Sequence, residues 1–343
     1  MLDLPPRTGY GRVWNSALPR LADVLDLVVD DPRPDVWFFD GHGGDPGVEG
    51  PVVIHLYEVN WGRPEFDREH APGFVENIAP ATESAVRRAD HIVTCSQSSK
   101  RQIMEAYDLP PERVHVVLLG VDSATFHPDP SGAGAALVRE RLDQSRPYVL
   151  FAASLHPRKN LKAVRSAVEG LAHRGFPHAL ALVVAPAPDR ADSSDLANEA
   201  LAELPGFPGR LVHFEEPTDE ELGALMAGAE AVCQPSTSEG FGLTVLEAMA
   251  TGAAVVVSDR GSLPEVVQRG GLIVEPTASA VEQALAGLIN HPKAARRLRA
   301  RALRRARRLT WERTAQGWAR VAALAAGHAG RRGHEGLPDV LTQ

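Results

Sequence analysis

Strand-like apolar runs alternate with helical patterns along almost the whole chain, and this alternation restricts the fold more than any other feature. The predicted strands, each a short apolar run, lie at 24–29, 35–39, 51–59, 91–96, 114–120, 147–154, 179–186, 211–216, 231–235 and 253–258. The predicted helices, with apolar residues at helical spacing, lie at about 12–22, 73–89, 97–107, 160–175, 219–229, 279–290 and around 246–249. This order predicts doubly wound parallel α/β sheets with helices on both faces.

The length of 343 residues suits two domains of ordinary size. The stretch DPSGAG at 129–134 is the strongest break between them. We therefore predict an N-terminal domain over 1–130, a C-terminal domain over 145–310, and a helix with a loose tail over 311–343. Open parallel sheets bind ligands beyond the carboxyl ends of their strands, so we expect a substrate cleft between the two domains.

Composition excludes several classes of protein. The chain has a net charge of −8, which argues against a general nucleic-acid binder. It lacks both a run of roughly 20 apolar residues and an export signal at its start, so we expect a cytoplasmic location. The two cysteines, Cys95 and Cys233, are expected to be reduced core thiols.

Basic charge is concentrated at 296–308, where arginines surround a narrow apolar stripe. The favoured interpretation is a surface helix with a solvated arginine face. The alternative is a peripheral contact with an anionic membrane surface or an anionic acceptor.

One motif, SEGFGLTVLEAMATG at 238–252, predicts a binding site at the start of a helix. Gly240 and Gly242 remove side chains where a ligand must approach the backbone closely. The amides of Phe241, Gly242 and Leu243 open the helix, and such unpaired amides favour a phosphate group.

Two glutamates flank this anion site, although a diphosphate would repel them. Glu239 and Glu247 are therefore expected to accept hydrogen bonds from hydroxyl groups on either side of the diphosphate. A molecule with hydroxyls, a diphosphate and more hydroxyls is a nucleotide-diphosphate sugar.

The pattern E-G-F-G-L-x-x-L-E-A-M-A-x-G resembles the glutamate-seven-glutamate signature of the family 4 retaining glycosyltransferases, which have the GT-B fold. Further stretches resemble family landmarks in family order, namely HIVTCSQSSKRQI, LLGVDSATFHP, LHPRKNL, GSLPEVV, GLIVEP and RLTWERTA. Together they span roughly residues 80–320. The resemblance implies two Rossmann-like doubly wound domains that face a central cleft.

The resemblance also implies roles for individual residues. It assigns donor binding to Glu247, Gly240, Phe241, Gly242, Leu243, Thr244, Gly9 and Gly11, and catalysis to Glu239, Arg158, Lys159 and His55. Within these sets Glu247 would hold the donor ribose and Glu239 the transferred sugar. Arg158 and Lys159 would neutralise the diphosphate as it leaves; the alternative for this pair is ordinary surface charge.

The first half of the chain carries weaker signals. Gly9 and Gly11, in TGYGR, resemble the family's first glycine loop, and the strand expected before them is reduced to LDL or begins upstream of Met1. His55 matches the family's active-site histidine, but Leu56 replaces the usual aspartate, and a buried core histidine is the alternative. DGHGGD at 40–45 is interpreted as a cleft loop and not as a metal site.

The sequence thus predicts a retaining enzyme that moves a hexosyl group from a nucleotide-diphosphate sugar, GDP-mannose or a UDP-sugar, to a hydroxyl acceptor. The acceptor would be a glycan, a lipid-linked saccharide or a small natural product, and neither metal nor cofactor is expected. One alternative is a glycosidase, since paired carboxylates also cleave glycosides. Another is a catalytically silent family member that acts as a nucleotide-binding or scaffold subunit.

Overall fold

The computed structural model describes residues 9–26, 34–59, 61, 73–129, 131–133, 136–137, 140, 146–185 and 193–327. The chain divides into two compact units, each of which is described by itself. One comprises Met1–Gly120 with Leu309–Gln343, and the other comprises Val121–Arg308. The first boundary therefore falls after Gly120, ahead of the 129–134 break, and the closing helix groups with the N-terminal part of the chain.

The first unit is built on a parallel sheet in the order β1-β2-β3-β4. Its strands are β1 Trp37–Asp40, β2 Val52–His55, β3 His91–Thr94 and β4 Val114–Val116. Its helices are α1 Gly9–Ala22, α2 Phe74–Arg88, α3 Gln97–Tyr107 and, after the second unit, α11 Trp311–Ala325. β2 is buried along its whole length, as expected for a strand in the middle of a sheet covered by helices.

The closing helix α11 belongs to the first unit through direct side-chain contacts. Trp318 is fully buried and lies 5.2 Å, centroid to centroid, from both Trp14 of α1 and Phe38 of β1. Thr314 Oγ1 donates to the Leu118 carbonyl at 2.9 Å. The aromatic packing of α1 against α11 explains why residues about 300 positions apart form one core.

The second unit contains a six-stranded parallel sheet in the order β10-β9-β8-β5-β6-β7. Its strands are β5 Tyr148–Ser154, β6 Ala179–Ala185, β7 Leu211–His213, β8 Ala231–Gln234, β9 Val255–Ser258 and β10 Leu272–Val274. Its helices are α4 Leu161–His173, α5 Ser193–Leu201, α6 Asp219–Gly228, α7 Leu243–Ala250, α8 Leu263–Val267, α9 Ala278–Asn290 and α10 Pro292–Ala306. Three-residue 3₁₀ helices lie at Pro111–Arg113, Pro157–Lys159 and Gln268–Gly270.

The strand order of the second unit fixes where a ligand can bind. The chain builds outwards from β5 to β6 and β7, and then returns to place β8 on the other side of β5. Such a reversal leaves a crevice at the carboxyl ends of the two central strands, and this is the ligand position in Rossmann-type sheets. The segments that follow β5 and β8 are therefore the first places to look for a site.

Most predicted elements are confirmed, with shorter strands than expected. One predicted strand, 24–29, is wrong in its described part, because residues 24–26 form a turn followed by a bend, and the rest lies outside the described residues. Helices α5 and α8 and strand β10 were missed. α8 has five residues, which is too short to show a helical period. The predicted loose tail at the C-terminus lies outside the described residues.

Candidate active site

Two loops meet beyond the carboxyl ends of β5 and β8. The first contains the 3₁₀ helix Pro157–Lys159, and the second follows Gln234. Thr237 N donates to the Arg158 carbonyl at 2.8 Å, and Asn160 Nδ2 donates to the Pro235 carbonyl at 3.0 Å. These bonds fix the basic pair, Arg158 and Lys159, beside the segment that carries Glu239.

Glu239 is the centre of a buried polar cluster, with 6% of its surface exposed. Its Oε1 lies 2.6 Å from Lys159 Nζ and accepts from Ser236 Oγ at 2.8 Å and from Gln234 Nε2 at 3.2 Å. Its Oε2 lies 3.6 Å from Arg158 Nη1. The structure thus brings together three of the four predicted catalytic residues.

The surroundings of Glu239 keep its carboxylate charged. Burial alone would raise its pKa, but the charges of Lys159 and Arg158 and the hydrogen bonds from Lys159 and Ser236 outweigh burial and lower the pKa. Glu239 is therefore an ionised hydrogen-bond acceptor at neutral pH. An ionised carboxylate has no proton to donate, so Glu239 does not act as an acid at neutral pH.

The backbone of Glu239 is held by the segment before α8. Ser262 donates to the Glu239 carbonyl from both its N–H and its Oγ, each at 3.1 Å. Gly261 has a φ of 59°, and a Cβ built there would lie 2.6 Å from the same carbonyl oxygen. Only glycine fits this contact, so the GSLPEVV stretch serves to position Glu239.

Helix α7 begins beside this cluster with its first turn uncapped by a side chain. Gly242 is the N-cap, with a φ of 90°, and makes no side-chain capping bond. The helix continues through Leu243 and Thr244, both half-buried, to Glu247, which has 3% of its surface exposed. The predicted anion-binding amides and both glutamates therefore belong to one continuous stretch of the second unit.

His55, the fourth predicted catalytic residue, lies in the core of the first unit. It is fully buried, and its ring centroid lies 4.1 Å from that of Tyr57 and 5.0 Å from that of Trp318. Burial, with a smaller effect from His42, lowers its pKa to about 3. Neither ring nitrogen has a hydrogen-bond partner among the described residues. This environment favours the core-histidine alternative.

The remaining signals from the first half also lie in the first unit. Gly9 and Gly11 fall in the first turn of α1, so the expected glycine loop is helical at these two positions. In DGHGGD, His42 N donates to Asp40 Oδ1 at 2.7 Å, and His42 Nδ1 lies 3.0 Å from Thr82 Oγ1. Over the described parts of the chain, no three His, Cys, Asp or Glu side chains are grouped as a metal site.

Gln234, Ser236 and Ser262 also belong to the cluster, and sequence reasoning missed them. Gln234 Nε2 donates to Ser236 Oγ at 2.9 Å as well as to Glu239, so the end of β8 carries a short hydrogen-bonded chain to the carboxylate. The run QPSTSE, polar directly after a buried strand, was the available signal. Cys95 and Cys233 are both buried and are not joined by a disulfide, as expected.

Comparison with known proteins shows the family to which the chain belongs. The family described as "Glycosyl transferases group 1" matches residues 137–305, and "Glycosyltransferase Family 4" matches residues 15–125. Alpha-maltose-1-phosphate synthase of Mycolicibacterium smegmatis is 30% identical over 80% of this chain and 74% of its own length. D-inositol 3-phosphate glycosyltransferase of Nocardioides is 33% identical over 76% of this chain, which spans 62% of that protein.

A similar solved structure is that of Anabaena Alr3699/HepE in complex with UDP and glucose. It has a TM-score of 0.66 and 21% identity over 80% of this chain and 71% of that one. Two parallel Rossmann-like sheets and this structural likeness define the GT-B class, as predicted. The chain belongs to glycosyltransferase family 4 and is a retaining glycosyltransferase. In the described residues, no helix is both long and apolar enough to cross a membrane.

Proposed function

We propose that this enzyme transfers a hexosyl group from a nucleotide-diphosphate sugar to a hydroxyl acceptor, with the donor bound in the second unit. The observation that carries the proposal is the buried ion pair of Lys159 Nζ and Glu239 Oε1, 2.6 Å apart, beyond the two central strands. A cation and a hydroxyl-binding carboxylate side by side match the two halves of a sugar diphosphate.

Two adjacent features are proposed to bind the donor diphosphate. Lys159 carries three N–H donors, one of which points to Glu239, and Arg158 offers a planar guanidinium beside it. The uncapped first turn of α7, which begins at Leu243, adds backbone amides and the positive end of the helix dipole. Glu247, further along α7, is proposed to bind the ribose hydroxyls.

Glu239 is proposed to bind hydroxyls of the transferred sugar. Its carboxylate is held ionised and fixed at both the side chain and the backbone, so it can orient the sugar without reorganising. A glycosidase instead needs one carboxyl group with a raised pKa that acts as an acid. The lowered pKa of Glu239 means that Glu239 itself is not that acid.

The proposed reaction breaks the bond from the anomeric carbon to the diphosphate oxygen while the acceptor oxygen bonds to the same face. The acceptor proton passes to the departing diphosphate. Negative charge grows on that diphosphate as the bond breaks, and Arg158 and Lys159 are placed to stabilise it. We propose that this charge stabilisation replaces a metal ion, so activity should survive an excess of chelator.

The comparisons support a class of donor and acceptor. HepE was crystallised with UDP and glucose, and two relatives are named for products or acceptors that are phosphorylated sugars or polyols. We propose a UDP- or GDP-linked hexose as donor and a saccharide, lipid-linked saccharide or small polyol as acceptor.

Turnover assays with Lys159→Met test the proposal. Nucleotide release from UDP-, GDP-, ADP- and dTDP-hexoses would be followed with candidate acceptors. We expect turnover to fall by about 10²–10³-fold, the usual effect of removing one preorganised transition-state donor. The matched control is Lys162→Met, an exposed lysine three positions along that should retain activity. Equal turnover in wild type and Lys159→Met would overturn the assignment.

A further inference from the structure

The second unit contains a cavity of about 560 Å³ that is lined mainly by arginine. Its lining residues are Gln268, Arg269, Gly270, Arg301, Arg304, Arg305 and Arg308, which we call the arginine pocket. Five of these seven residues carry a guanidinium group, and none of the seven carries a carboxylate. The pocket shares no residue with the Glu239 cluster, so the proposed transfer reaction does not account for it.

The sequence builds one wall of the pocket from helix α10. Arg301, Arg304, Arg305 and Arg308 are spaced at i, i+3, i+4 and i+7, which places them along one side of the helix and its final turn. The opposite wall is the 3₁₀ helix Gln268–Gly270. It packs closely on α10, because a Cβ at its last glycine would lie only 2.9 Å from the backbone of the helix.

Three of the pocket arginines have no carboxylate partner in the part of the chain that the structure describes. No carboxylate of the described residues pairs with Arg301, Arg304 or Arg305, whereas Arg299 of the same helix pairs with Glu230 at 3.2 Å. A protein surface usually intersperses charges of both signs, so a cavity with arginine alone is suited to an external anion.

Arg305, one of the lining residues, is held by two backbone carbonyl groups. Its Nε donates to the Val266 carbonyl at 3.1 Å and its Nη2 to the Glu265 carbonyl at 3.2 Å. Burial, and then the neighbouring Arg308 charge, lower the pKa of Arg305. A bound anion would offset both the burial of the Arg305 charge and its repulsion from Arg308. The backbone of Gln268, with a φ of 47°, adds a conformation that non-glycine residues rarely adopt, and such outliers concentrate at functional sites.

We propose that the arginine pocket is a second binding site for a phosphate-bearing ligand, distinct from the sugar donor. Guanidinium groups bind phosphate oxygens through paired hydrogen bonds, and several converging forks suit a phosphate better than a single carboxylate. The volume is that of a site for a small molecule or a headgroup. The phosphate comes from a soluble phosphorylated metabolite or from an anionic lipid headgroup.

The test uses two double variants of the full chain with equal net charge. Arg301→Gln/Arg304→Gln removes two pocket guanidiniums. Arg296→Gln/Arg297→Gln removes two exposed arginines of the same helix that do not line the cavity. Hydrogen–deuterium exchange is recorded with inorganic pyrophosphate against sodium chloride at equal ionic strength. Pelleting with phosphatidylcholine vesicles, with or without phosphatidylglycerol, tests the lipid source.

We expect pyrophosphate to slow exchange in the segment around Gln268–Gly270 of the wild type and of the control pair. In the pocket pair the apparent affinity should fall by about tenfold or more, because hydrogen bonds to charged groups are the strong ones. Pelleting with the anionic vesicles that is lost in the pocket pair and kept in the control pair would also support the site, and it would identify the ligand as a lipid. The proposal is overturned if neither probe distinguishes the two double variants. Slowed exchange confined to α7 would likewise contradict it, since that result reports the donor site.

Discussion

Removal of Lys159 from the buried cluster should show how strongly Glu239 depends on its cations. Lys159 and Glu239 expose only 16% and 7% of their side chains, so water screens their attraction poorly. Lys159→Met leaves Glu239 with Arg158 at 3.6 Å and the two neutral donors, Ser236 and Gln234. The carboxylate would then be buried with much of its compensation lost.

The magnitude follows from the cost of breaking a buried pair. Loss of one partner typically costs about 3–5 kcal/mol, and the remaining Arg158 should keep Lys159→Met near the lower end, at about 3 kcal/mol. Glu239→Gln removes the anion and leaves two cations together, at a cost of about 3 kcal/mol, the lower end of the same range. The double variant leaves fewer unpaired charges, so it should cost about 2 kcal/mol less than the sum of the single variants.

Native-state hydrogen exchange of the β5 amides would give the opening free energy of the second unit for all four forms of the chain. The control is the exposed pair Glu83 and Arg87 of α2 in the first unit, with side chains 49% and 78% exposed. The coupling of this pair, measured from exchange of the β2 amides, should stay below about 0.5 kcal/mol. If the two substitutions at Lys159 and Glu239 are additive, the buried ion pair does not exist in solution and the site argument fails.

Three further predictions concern single residues. His55 has a folded pKa of about 3 against an ordinary 6.5, so its contribution to stability is complete above pH 6.5 and is lost progressively as the pH falls towards 3. Between about pH 7.5 and about pH 5.5, the free energy of unfolding of the wild type should fall by about 1.4 kcal/mol more than that of His55→Gln. Exchange of the β2 amides measures both values, and equal losses would contradict a buried neutral ring. Gly261→Ala should lower the free energy of unfolding by about 1–3 kcal/mol and should lower turnover. Gly287→Ala is the control and should do neither, because the space around its Cβ position is open. Unchanged turnover in Gly261→Ala would show that Glu239 does not need this contact. Cys233, whose pKa burial raises to about 12, should resist iodoacetamide until the chain unfolds, and rapid labelling of the native protein would refute its burial.

The fold was largely predictable because its strands are short apolar runs between helices with clear periodicity. The pairing order of the strands was harder to predict, because no local feature of β5 or β8 indicates that they are neighbours although 76 residues separate them. The grouping of α11 with α1 rests on Trp14 and Trp318, two aromatic residues whose contact has no local signal.

The candidate site could be predicted where its residues lie close together in the sequence. Glu239, Gly242 and Glu247 share one motif, and Arg158 and Lys159 follow a strand directly. Ser262 and Gly261 were not assigned, because their role is a backbone contact with a residue more than twenty positions earlier. His55, by contrast, was assigned from its match to a family position, but it lies inside an aromatic core. Its catalytic role stays a prediction.

The second unit is proposed to bind a nucleotide diphosphate through α7 and the Glu239 cluster. The most direct measurement is the thermal stability of the purified chain with UDP, GDP, ADP and dTDP in turn. A ligand at about 100 times its dissociation constant stabilises the native state by roughly 2.7 kcal/mol, which is visible as a shift in Tm. We predict a shift with one diphosphate in wild type and its loss in Glu247→Ala. No shift with any of the four, or a shift that Glu247→Ala leaves unchanged, would contradict the donor site described here.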